Sequence, residues 1–200
     1  MILDPAPPPP PLVRYALDRL AAARRGDPAD LASLGDLTDL ARPWDPASCG
    51  RGLRAQIWDW CEAFADWINR TYAWRPTHII PACWPHHPHI AAELPVLACL
   101  RVAAEDALTA DDLEEWHRSS LPLFLDRLAD RVGDATCRSG AHVPWPAAAR
   151  TTAYHHEDAV ADRAARLAAD TDPDADSPPT PPVPLWQQMN DNRRPRDGDR

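Results

Sequence analysis

Apolar side chains recur at spacings of three and four over most of positions 12–132, and the sharpest example is the stretch from Leu53 to Tyr72. Leu53, Ile57, Trp60, Cys61, Phe64, Trp67, Ile68 and Tyr72 fall, at 100° per residue, in a stripe about 140° wide. Arg54, Gln56, Asp59, Glu62, Asp66, Asn69 and Arg70 occupy the opposite side. This is the pattern of a helix buried on one face. A buried tryptophan removes roughly 150–250 Å² from water, so the indoles between Trp58 and Trp116 are expected to face inward and join neighbouring helices.

The same period predicts helices elsewhere. Val13, Leu17, Leu20 and Ala21 share a face in Leu12–Arg25, which Gly26-Asp27-Pro28 ends. Leu31, Leu34, Leu37 and Leu40 suggest a second helix over Asp30–Ala41, weakened by Gly35. Pro76, Pro81, Pro85 and Pro88 make the next segment irregular, because each proline removes a donor and restricts the residue before it. Pro88 suits the first position of a helix, predicted over 88–108, with a kink or break near Glu93 set by Pro95. Thr109-Ala110-Asp111-Asp112 resembles a capping box opening a helix over 110–132. Leu113, Trp116, His117, Leu121, Phe124, Leu128 and Val132 line that helix, and Pro122 kinks it.

The organisation that follows is all-α: a small irregular helical bundle with proline-rich connections and disordered ends. Residues 1–11, ending in five prolines, read as an extended spacer. Residues 12–146 form the helical domain, with its core in 53–146. Residues 147–170 read as a loosely docked alanine-rich helix, and 171–200, rich in proline and aspartate, as a disordered tail.

Composition narrows the function. The chain of 200 residues carries a net charge of −9 and all 21 of its basic residues are arginine. An acidic total disfavours nucleic acid, whose binding domains usually show a basic footprint. Nothing resembles a signal peptide, and no apolar run is long enough to span a bilayer. Five cysteines, an odd number without a CxxC pair, suit reduced thiols and a cytoplasmic location.

Candidate chemistry rests on histidine and cysteine. Cys83, His86 and His89 lie close in sequence, Cys137 and His142 follow in a later turn, and His117 sits beside Trp116. Zinc takes four nitrogen or sulfur ligands, so a small zinc- or thiol-dependent site could be assembled from Cys83, His117, Cys137 and His142. The competing assignment makes His86 and His87 surface residues at the helix start, Cys83 a small core residue and His117 a hydrogen-bonded core histidine. No nucleophile elbow, phosphate loop or thiol-enzyme signature is present, which argues against an enzyme.

The run WDWCEAFADWINRTYAWRPTHIIPACWPHHPHIAAEL, then LEEWHRSSLPLFLDRL, then Cys137 and His142 before Pro144-Trp145-Pro146, resembles an uncharacterised family of actinobacterial proteins encoded on plasmids and integrated conjugative elements. The likeness spans about residues 53–146. It implies an all-α cytoplasmic protein but no activity, cofactor or catalytic residue. The expectation is a non-catalytic accessory or protein-interaction protein with a protein partner, no membrane association and no required cofactor. The zinc- or thiol-dependent reading is the alternative.

Overall fold

The computed structural model describes residues 4–132, 137, 142 and 147–170. Every regular element among them is helical, with short 3-10 turns and no strand. The predicted disordered tail, 171–200, lies outside the described residues.

Helix α1 spans Pro11–Arg25, with proline at its first position and Gly26 at its end. Gly26 adopts φ +73°, and its N–H reaches the Ala22 carbonyl at 3.3 Å. That left-handed closure suits glycine because a Cβ would be strained there. Helix α2, Pro28–Leu34, is shorter than its leucine spacing predicts. Asp27 caps its start, accepting from the Ala29 N–H at 2.8 Å, and Gly35 at φ +73° stops it. Leu37–Asp39 follows as a separate 3-10 turn.

Helix α3, Arg51–Thr71, matches the apolar stripe: Ile57, Trp60, Cys61, Phe64, Trp67 and Ile68 are all buried. Helix α4, Pro88–Glu105, begins at the predicted proline and runs unbroken through Pro95. The expected break does not occur, because Pro95 is fully buried and packing of Leu94, Leu97 and Ala98 holds the helix on both sides. Helix α5, Asp111–Glu115, leads into a π-helical stretch, Trp116–Ser120, and then α6, Leu121–Val132. Pro122 lacks an N–H and its ring crowds the carbonyl four residues back. The wider turn just before it takes up that misfit. The predicted capping box is not formed: Ala110 occupies the cap without a side-chain bond, and Thr109 Oγ1 lies 3.1 Å from Asp111 Oδ2.

One hydrophobic cluster joins α3, α4 and α6 with Val13 of α1. Its centre is aromatic. Trp67 stands 5.3 Å from Phe64, 5.1 Å from Tyr72 and 6.1 Å from Trp116, centroid to centroid. The Arg101 guanidinium lies over both Trp67 and Trp116, at 5.8 and 5.4 Å. Each of the four fully packed indoles finds an acceptor, as buried N–H groups require. Trp116 donates to the Leu97 carbonyl at 3.2 Å and Trp84 to Glu62 Oε2 at 2.8 Å. Trp60 and Trp67 donate to the carbonyls of Pro7 and Asp4, at 2.9 and 3.0 Å. Residues 4–10 are therefore strapped along α3, where the proline run alone reads as a free spacer. Of the indoles between Trp58 and Trp116, two depart from the inward-facing pattern: Trp58 is half-buried, and Trp74 is 91% exposed beyond the end of α3.

Two polar ties fix the helices further. Glu93 of α4 receives Arg127 Nε of α6 at 2.8 Å and pairs also with Arg131. Asn69 clamps the irregular segment to α3: its Oδ1 accepts from the Ile80 N–H at 2.8 Å, and its Nδ2 donates to the Ile80 carbonyl at 2.9 Å. The chain divides into two units, 1–145 and 146–200. In the second, α7 (Ala148–Tyr154) and α8 (Glu157–Asp170) replace the single predicted helix, with the interruption at His155-His156.

Candidate metal centre

The segment tied down by Asn69 leads into a 3-10 turn, Trp84–His86, whose two flanks are Cys83 and His87. His87 is also the residue before α4, and Pro88 bars it from helical backbone. It adopts φ −109°, ψ 94°, which turns its ring inward while His86 stays exposed. His87 is only 1% exposed, the one buried polar side chain of the described core. Its Nε2 lies 3.4 Å from Cys83 Sγ and 3.4 Å from Cys137 Sγ. Cys137, buried, and His142, exposed, come from the chain beyond α6. One ligand atom from each of Cys83, His87, Cys137 and His142 lies within 4.8 Å of the others.

This group can hold a metal ion. Metal–sulfur and metal–nitrogen bonds of about 2.3 and 2.05 Å, arranged tetrahedrally, place sulfur and nitrogen roughly 3.6 Å apart. The two observed separations are close to that value. Burial, followed by the neighbouring His142, His89 and His86, pushes the His87 imidazole below its ordinary pKa, so it is held neutral, the form that ligates. Burial and then the Cys137 thiol push Cys83 upward. Proton loss from Cys83 therefore awaits a positive charge, which a divalent cation would supply. His87 Nδ1 has no hydrogen-bond partner, so among the described residues nothing fixes the ring from behind.

The structure sorts the candidate residues. Cys83, Cys137 and His142 converge as the zinc reading requires, but His117 does not join them. It is exposed on the π-helical stretch, its Nε2 3.2 Å from the Tyr72 hydroxyl and its ring 5.1 Å from that of Trp116. The expected core histidine is thus a surface residue, because the widened turn rotates it away from the stripe. His86 stacks near His142 at 5.0 Å, and His89 lies 5.7 Å from His87, yet neither belongs to the four-residue group. His87 takes the place given to His117. The available signal was the Cys-x3-His spacing directly before proline, since an X-Pro bond forces that histidine out of helical register.

The other thiols are unlike this pair. Cys61 and Cys99 are buried among apolar groups, where desolvation raises both thiols, Cys99 to about 12. Cys49 Sγ lies 3.4 Å from the carbonyls of Arg42 and Asp45. Those three behave as small core residues.

Comparison with protein-family models, curated proteins and solved structures finds no match for this chain. No described helix is long and apolar enough to cross a membrane.

Proposed function

We propose that this chain is a non-catalytic helical interaction module closed by a structural zinc ion on Cys83, His87, Cys137 and His142. The observation that carries the reading is the convergence of two thiols and two imidazoles within 4.8 Å. Catalytic zinc keeps a coordination position for water or substrate, whereas structural sites fill all four with protein. A complete two-sulfur, two-nitrogen set leaves no such position. Sulfur with imidazole also favours zinc over the hard cations, which take oxygen. The ion's role is then mechanical: it ties the chain after α6 to the turn before α4. The thiolates must stay reduced, which fits the cytoplasmic location and the mobile-element setting that the sequence resemblance implies.

Zinc analysis of reduced, untagged full-length protein tests this. One equivalent per chain is expected, falling below a tenth in the Cys83→Ser/Cys137→Ser double variant and staying at one in His117→Ala. Less than a tenth of an equivalent in the unsubstituted protein, after incubation with zinc and dialysis, refutes the proposal.

A further inference from the structure

We infer that the groove between α3 and the Trp84 turn binds an arginine side chain presented by a basic segment of another protein. The groove is lined by Trp58, Asp59, Glu62, Trp84, Pro85 and Ala91 and has a volume of 440 Å³, within the range of about 300–1,000 Å³ typical of ligand sites. The Trp58 and Trp84 rings stand 6.0 Å apart, tilted by 51°, and the buried Trp84 backs the half-buried Trp58. Trp84 spends its N–H on Glu62 Oε2, which fixes both its ring and that carboxylate.

The charge of the groove is what commits it to a cation. Neither Asp59 nor Glu62 forms an ion pair among the described residues, while Asp66, one turn along the same helix, is paired with Arg70 at 3.0 Å. No arginine or histidine is present in the lining. Two exposed carboxylates beside the half-buried Trp58 indole therefore offer a positive ligand both an ion pair and a π-face. Arginine suits this better than lysine. Its planar guanidinium can lie on an indole and fork to a carboxylate at once, and it sheds water more readily than an ammonium. The net charge of −9 also draws basic partners from a distance and repels polyanions. The groove's lining holds no metal ligand, although Trp84 and Pro85 belong to the turn that Cys83 and His87 flank.

The test is fluorescence anisotropy of the full chain with a fluorescein-labelled Gly-Gly-Arg-Gly-Arg-Gly-Gly peptide and its lysine counterpart, at low salt. The arginine peptide is expected to bind about fivefold or more tighter. Trp58→Leu, which leaves the charge unchanged, is expected to weaken it about fivefold. Asp59→Asn/Glu62→Gln is expected to weaken it about tenfold. Asp111→Asn/Asp112→Asn, with the same charge change on α5, is expected to change binding less than about twofold. Equal weakening by the two double variants overturns the inference, since general attraction to an acidic chain then explains the binding. So does full binding by a folded Trp58→Leu protein, or no binding at all. Asp59 is exposed, so Asp59→Asn alone supplies a reading should Trp58→Leu fold poorly.

Discussion

Removing zinc with a chelator should lower the thermal stability of the first unit by an amount that the chain length between ligands sets. His87 and Cys137 are 50 residues apart. A cross-link closing a loop of that size restricts the unfolded chain by about 4 kcal/mol in the loop-entropy model. Mass action gives a consistent figure: free zinc at a thousand times its dissociation constant stabilises by about 4 kcal/mol. For a unit between the size classes of small and medium domains, each kcal/mol moves the midpoint by about 3–5 °C. Chelation should therefore lower the melting temperature by about 10–20 °C, read by circular dichroism under reducing conditions, and added zinc should restore it. His87→Ala should abolish the zinc-dependent part, whereas His86→Ala and His89→Ala should retain it. An unchanged midpoint with chelator, in protein shown to carry zinc, would refute the claim that the ion closes the fold.

Three further outcomes follow from the polar ties. Asn69→Ala strands the buried N–H and carbonyl of Ile80 and should cost about 1–3 kcal/mol, measured by urea denaturation; a loss below half a kcal/mol would refute the clamp. Deleting residues 1–10 removes the acceptors of Trp60 and Trp67, which are 2% and 3% exposed, and should cost about 2 kcal/mol. It should also red-shift tryptophan emission, and unchanged emission would count against the strap. Burial acts to raise the Glu93 carboxyl, but the hydrogen bonds and charges of Arg127 and Arg131 outweigh it and hold the group below its ordinary pKa. A depressed carboxyl stabilises the fold above its unfolded pKa, and that contribution fades as pH falls through the folded value. Below about pH 4.5, melting temperature should accordingly fall more steeply in the parent than in Glu93→Gln; parallel curves would contradict the assignment.

The bundle was legible where a single physical rule governs a long stretch. The α3 stripe is a one-face burial pattern, and its residues are the ones the structure buries. Pro88 starts α4 for the local steric reason that predicts it. Legibility failed where tertiary contacts decide. The proline run reads as a spacer until indole donors from a helix more than forty residues away meet its carbonyls. Pro95 reads as a kink or break, yet the helix runs on continuously through it. At the four-residue Cys/His group, sequence supplied Cys83, Cys137 and His142 but not His87, offering His117 instead. His117 has the better hydrophobic setting in sequence, while His87 owes its inward aim to the proline that follows it.

The wide turn at Trp116–Ser120 bears on how this chain tolerates changes of length. Counted as a regular helix, Leu121 would lie 140° around from Trp116, at the opposite edge of a buried stripe, yet both are buried. The surplus residue held in the widened turn reconciles them, as a leap day keeps a calendar in step. Excising one of Arg118, Ser119 or Ser120 would return this stretch to a regular helix with Leu121 about 40° around from Trp116, so the residues from Leu121 onward would keep their face. This segment should therefore tolerate loss of one residue better than α3 or α4, where a single deletion turns everything after it by about 100°.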